Sequence, residues 1–120
     1  MYNNHYDSNN IFNKIINDEL ESKKFYEDDY LIAIHDINPV APIHALVIPK
    51  GEYVDYDDFI SNADQDEVYH YFKTIEAIAK NLDVENHGYR IVTNKGAQCG
   101  QTVFHFHTHI ISGKKLGELG

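Results

Sequence analysis

The stretch Val103-Phe104-His105-Phe106-His107-Thr108-His109-Ile110-Ile111 sets three histidines at alternate positions of a β-rich run. In an extended strand successive side chains point to opposite faces, so the three imidazoles share one face and Phe104, Phe106, Thr108 and Ile110 share the other. The apolar face is free to pack against a helix, which lets the strand fold while it gives a whole face to imidazoles. Rings spaced roughly 6 to 7 Å apart along a strand would repel one another if all were protonated, so each is expected to be neutral and to hold a specific partner.

Upstream lies the loop Asn94-Lys95-Gly96-Ala97-Gln98-Cys99-Gly100-Gln101, whose two glycines permit close backbone approach to a ligand. Tyr89 to Thr93 reads as the strand before it, and Thr102 to Ile111 as the strand after it. Val68, Tyr71, Phe72, Ile75, Ile78, Ala79 and Leu82 form the apolar stripe of a long helix that ends at Asp83 to Gly88. Asp64 followed by Glu67 suits a capping box at its start. Gly51 to Asn62 is acidic and irregular, with one short helical turn near Asp57. Ile43 to Pro49 predicts a strand that resumes after the break Asn38-Pro39-Val40-Ala41-Pro42. Lys24 to Glu27 and Tyr30 to His35 flank Asp28-Asp29 as a hairpin. Ile11, Phe12, Ile15, Ile16 and Leu20 recur at helical spacing, with Asn9 or Asn10 as N-cap. The order α-β-β-β-α-β-β predicts an α+β fold: a five-stranded, mostly antiparallel sheet with two helices packed on it.

The chain has 120 residues, a length for one domain, with a polar tail at 1–10 and a second tail at 114–120. Nineteen acidic and ten basic residues give a formal charge of −9, and the only adjacent basic pairs are Lys23-Lys24 and Lys114-Lys115. That balance excludes a nucleic-acid footprint but not a small phosphate ligand, for which a few local donors suffice. No run reaches the roughly 20 apolar residues of a membrane span, and the opening residues lack the basic and apolar regions of a secretion signal, so a cytoplasmic location is expected. The single cysteine, Cys99, excludes an internal disulfide and cysteine-pair zinc patterns.

Three readings fit the histidine run. The imidazoles could be structural, each satisfied by a backbone carbonyl. Two of them with His44 could form a three-histidine zinc site, although same-face histidines on a straight strand diverge. In the third reading a neutral imidazole attacks phosphorus to give a phosphoramidate that water later breaks. Neighbouring histidines then move protons, and donors at Gln101, Thr102 and the Val103 amide receive the charge developing on phosphate oxygens.

The run from His105 to Ile111 resembles the motif of the histidine-triad (HIT) superfamily. So do Ile11-Phe12-Asn13-Lys14-Ile15-Ile16, His35-Asp36-Ile37-Asn38-Pro39, Ala41-Pro42-Ile43-His44 through Lys50, Gly88-Tyr89-Arg90 and Gly100-Gln101-Thr102-Val103, all in the manner of its Hint branch. The likeness spans Ile11 to Gly113. It implies a hydrolase that cleaves purine nucleoside 5′-phosphoramidates through a nucleotidyl-histidine, with His107 as nucleophile and His44, His105 and His109 in support. It also implies that Asn94, Gly100, Gln101, Thr102 and Val103 approach the α-phosphate and that Asp36 holds the ribose. Ile11, Phe12, Ile15, Ile34, Ile37 and Leu46 would enclose the base. His109 stands where the uridylyltransferase-like branch carries glutamine, which favours hydrolysis, and no metal or other cofactor is implied. Relatives form two-fold dimers through the long helix and a strand matching Tyr89 to Thr93. Relatives often carry a tryptophan in a C-terminal tail and an aromatic residue at the position of Ile34; this chain has no tryptophan. Dinucleoside polyphosphate hydrolysis, or nucleotide binding with incidental turnover, are the alternatives.

Overall fold

The computed structural model describes residues 5–119. The elements are α1 (Ile11–Ile16), β1 (Lys24–Glu27), β2 (Leu31–His35), β3 (Ile43–Pro49), α2 (Tyr56–Asn62), α3 (Gln65–Leu82), β4 (Arg90–Val92) and β5 (Thr108–Ser112), with a 3-10 turn at Ala97–Cys99. The strands form one sheet in the order β1-β2-β3-β5-β4, every pair antiparallel. Among the described residues there are three α-helices where the sequence pattern predicts two. The turn expected near Asp57 is a helix of its own, because the Asp55 side chain accepts the Asp58 N–H and caps it.

Alternation divides the sheet into two cores. Leu31 and Ala33 of β2, Ala45 and Val47 of β3 and Ile110 of β5 face α2 and α3, where they meet Phe59, Tyr71, Ile75, Ile78 and Ala79. On the opposite face Ile32, Ile34, Leu46 and Ile48 pack under Phe12 and Ile15 of α1. The side chains of His44 and His109 lie on this second face, as strand alternation requires of neighbours of Ala45 and Ile110.

Helix α1 is shorter than its apolar spacing suggests: it stops at Ile16, and Leu20 is exposed. Asn10 is the cap, its side chain accepting the Asn13 N–H at 2.9 Å. Replacing Asn10 with alanine removes that acceptor and is expected to cost about 1 kcal/mol. The readouts are a lower urea midpoint and faster amide exchange in α1. The capping box at Asp64 is not formed. Asp64 is the N-cap without a side-chain bond, and Glu67 instead accepts the Tyr53 hydroxyl at 3.1 Å. Phe72, assigned to the apolar stripe of α3, is exposed.

The largest departure concerns the histidine run. Only Thr108–Ser112 is a strand, so His105 and His107 precede it in an irregular extended segment rather than standing in the ladder. That segment lies against the loop after β3: the Phe106 N–H donates to the Tyr53 carbonyl at 2.7 Å, and the Gln101 side chain donates to the Val54 carbonyl. Alternation persists without the ladder, since Phe106 is buried with Phe59 and Tyr71 while His105 and His107 both meet Phe12 of α1. Phe104 is the exception, 45% exposed.

Candidate active site

His105 is completely buried, and both of its ring nitrogens are engaged. Nε2 lies 2.7 Å from the Pro49 carbonyl oxygen, which can only accept, so Nε2 carries the hydrogen. Nδ1 is then an acceptor, and the Tyr6 hydroxyl donates to it at 2.5 Å. Burial holds the His105 imidazole down to about 4, against the Pro49 hydrogen bond, which acts upward. His105 is therefore a neutral structural ring with no nitrogen left for a substrate.

His107 differs. Its Nδ1 lies 2.8 Å from the His105 carbonyl oxygen, so Nδ1 bears the hydrogen and Nε2 is left with a bare lone pair. Burial lowers its pKa, opposed by the His105 hydrogen bond and by the charge of Asp36. A neutral ring in one tautomer is what a nucleophilic imidazole requires. The backbone of His107 is pinned as well, because the Thr93 hydroxyl donates to its carbonyl at 2.7 Å.

His44 and His109 are hydrogen-bonded to each other. The Val40 N–H donates to His44 Nδ1 at 3.1 Å, which makes Nδ1 an acceptor and places the hydrogen on Nε2. His44 Nε2 lies 3.0 Å from His109 Nδ1 and 3.3 Å from Asp36 Oδ2. With His44 donating, His109 Nδ1 accepts and its hydrogen sits on Nε2, available as a proton donor. The His109 ring stands edge-on to His107, with centroids 5.2 Å apart. Burial, then the neighbouring His107 and His44, bring His109 to about 4, against the charge of Asp36.

The glycine loop is closed on itself. Gly96 and Gly100 have φ of 89° and 97°, values that favour glycine, and the Gln101 N–H returns to the Gly96 carbonyl. The Gln101 side chain is buried, accepting the Gly96 N–H and donating to the carbonyls of Val54 and Val103. All its polar atoms are thus used in shaping the loop. Asn94 lies against Gly100, where a β-carbon would stand 3.4 Å from its amide nitrogen, and Thr102 is exposed. Asp36 accepts the Asn38 N–H with one oxygen and faces His44 with the other. Phe12, Ile15, Ile34 and Leu46 share one buried cluster, with Val103 packed on it. Ile11 and Ile37 stand apart from that cluster, 45% and 88% exposed. The partners of the rings, Pro49, Val40 and Tyr6, escaped the sequence reading: two act through the backbone, and the third sits in a segment read as a polar tail.

Ligand atoms of Asp36, His44 and His109 lie within 4.8 Å of one another, a donor set of two imidazoles and a carboxylate. A divalent ion taking all three would replace the His44–His109 hydrogen bond.

All three triad rings favour the neutral form, which ties folding to pH. The folded state binds fewer protons than the unfolded state below the ordinary histidine pKa of 6.5. Stability is therefore full above pH 6.5 and falls as pH drops toward 4, with the buried His105 alone worth on the order of 3 kcal/mol. Urea midpoints should decline between pH 6.5 and 5, before carboxylates titrate, and the decline should shrink in His105→Gln.

The HIT domain family matches residues 17–116. The chain is 52% identical over 111 residues to a HIT-like protein of Rickettsia prowazekii, covering 92% of each. A histidine triad protein of Clostridium difficile superposes with a TM-score of 0.84 at 42% identity, covering 97% of this chain and all of that one. A HIT family hydrolase of Clostridium thermocellum does so with a TM-score of 0.80 at 38% identity, covering 92% and 96%. Fold, ring geometry and similarity over nearly the whole length agree: the chain belongs to the HIT domain family.

Proposed function

We propose that this chain is a hydrolase of purine nucleoside 5′-phosphoramidates and related nucleotidyl conjugates, releasing the nucleoside monophosphate through a nucleotidyl-His107 intermediate. The observation that carries the reading is the 2.8 Å contact from His107 Nδ1 to the His105 carbonyl, which leaves Nε2 unprotonated. In the first step Nε2 bonds to phosphorus as the P–N bond breaks, and the leaving amine takes the proton from His109 Nε2. The His44 hydrogen bond at 3.0 Å supports His109 in this role. In the second step water attacks phosphorus, its proton passes to His109, and the P–Nε2 bond breaks to restore His107. Neither step needs a metal or another cofactor.

The Asn94, Gly100, Thr102 and Val103 segment is assigned to the phosphate, with the Gln101 side chain shaping it from behind. Asp36 is assigned to the ribose hydroxyls. Ile11, Phe12, Ile15, Ile34, Ile37 and Leu46 are assigned to the base. A homodimer joined along β4 and α3 is part of the reading. Support for it comes from the exposed Ile91 on the edge strand β4 and from the exposed Tyr69 and Phe72 on α3. A cytoplasmic location completes it; no helix among the described residues is long and apolar enough to cross a membrane.

Dinucleoside polyphosphate hydrolysis has one observation in its favour. Arg90 pairs with Ile111 and Ile111 with His44, so all three share a row on the histidine face. Arg90 lines a cavity with His87, Lys114 and Lys115, a basic group in an acidic chain that suits an anionic leaving group.

The test is release of AMP from adenosine 5′-phosphoramidate and from diadenosine tetraphosphate, each with and without chelator. Chelator-insensitive turnover of the phosphoramidate supports the leading reading, and faster turnover of the tetraphosphate favours the second. AMP binding without turnover of either overturns both in favour of a nucleotide-binding protein.

A further inference from the structure

The N-terminal segment ahead of α1 lies outside residues 17–116, which match the family, yet it reaches the centre of the site. A turn built on Asp7 orders it. The Asp7 side chain accepts the Asn9 N–H, and its carbonyl accepts both the Asn10 N–H and the Asn10 side-chain amide. The Asn13 side chain, buried in α1, donates to the Ser8 carbonyl and ties the turn to the helix. The turn delivers Tyr6, half-buried, edge-on against the His105 ring with centroids 5.5 Å apart and its hydroxyl on Nδ1.

His105 has one nitrogen on the Pro49 carbonyl and would otherwise bury its second without a partner. An unpaired buried acceptor is costly, and the ring escapes the cost only by turning or by taking up a proton. Either change moves the residue whose own carbonyl holds His107 Nδ1–H. Burial pushes the Tyr6 phenol up, which keeps it an O–H donor throughout the neutral range.

We infer that Tyr6 is a positioning residue: its hydroxyl, acting with the Pro49 carbonyl, holds the His105 ring in one orientation and tautomer and, through the His105 carbonyl, keeps His107 in the single tautomer that presents Nε2. The N-terminal segment is then a working part of the site rather than a tail.

Tyr6→Phe keeps the ring and removes only the oxygen, and Asn9→Ala changes a side chain of the same segment while keeping the backbone N–H that Asp7 accepts and touching nothing at His105. Two readouts separate the roles. Ring-nitrogen NMR of the native protein is expected to show His107 in one Nδ1–H tautomer; in Tyr6→Phe the His105 signals should shift and His107 should become a mixture, while Asn9→Ala leaves both unchanged. In the AMP-release assay, which rests on the reading of His107 as nucleophile, kcat for Tyr6→Phe should fall about tenfold with KM nearly unchanged. Unaltered His105 and His107 ring signals in a folded Tyr6→Phe overturn the inference. So does a response in Asn9→Ala equal to that in Tyr6→Phe. If the native protein has no turnover, the nucleophile reading falls, and the NMR comparison still decides the role of Tyr6.

Discussion

His107→Ala is expected to lower AMP release from adenosine 5′-phosphoramidate by on the order of 10⁴-fold or more, because no other group in the site can take the covalent role. The alternatives fail on geometry. His105 has both nitrogens committed, to Pro49 and Tyr6, and His44 has Nδ1 on the Val40 amide and Nε2 shared between His109 and Asp36. His109 keeps an Nε2–H, a donor rather than a lone pair. Its replacement by alanine should therefore cost less, about 10² to 10⁴-fold, as expected for loss of a proton-transfer group. Removing the His107 ring leaves the His105 carbonyl without its donor, a loss of about 1 kcal/mol. A folded His107→Ala protein with retained AMP binding, checked by circular dichroism and by calorimetric titration, would separate chemistry from folding. Residual turnover near the native level would end the nucleophile assignment.

Phe106→Ala should have the largest effect on stability. Phe106 is 1% exposed, stacks on Phe59 with centroids 4.7 Å apart and meets Tyr71 at 5.4 Å, so it joins the histidine segment to both α2 and α3. Truncation removes a whole ring from a close-packed cluster and leaves a cavity, at about 3 to 5 kcal/mol. Native domains are stable by only about 5 to 15 kcal/mol, so this is a large share of the total. The melting temperature should fall by roughly 10 to 20 °C. Phe106 also stands between His105 and His107, and its loss should reduce kcat at temperatures where the variant is still folded. A loss below about 1 kcal/mol by urea denaturation would mean that the cluster collapses around the gap. By contrast Phe104, two residues earlier and exposed, should tolerate alanine with little change.

Much of this arrangement is written in the alternation of the chain. The period of two in the run from Val103 to Ile111 assigns Phe104, Phe106, Thr108 and Ile110 to one face and the three imidazoles to the other, and all but the exposed Phe104 follow it. That assignment survives although the ladder begins only at Thr108, because any extended backbone turns successive side chains to opposite sides. Strand β3 falls at Ile43–Pro49 as its pattern indicates, and Asn10 caps α1 as its residue type favours. Roles within the triad are another matter. Three histidines in one motif look alike in sequence, yet His105 is fully paired and buried while His107 keeps a free lone pair. What separates them is two backbone carbonyls, those of Pro49 and His105, which every residue carries and no side-chain pattern announces, together with the Tyr6 hydroxyl that takes the second nitrogen of His105. The meeting of His44 with His109, 65 residues apart, follows from the β3–β5 register, in which Leu46 faces His109 and His44 faces Ile111. Register and backbone hydrogen bonding exist only once the sheet is assembled. The chain order therefore specifies which residues share a face, and the closed sheet alone selects which imidazole is left free to react.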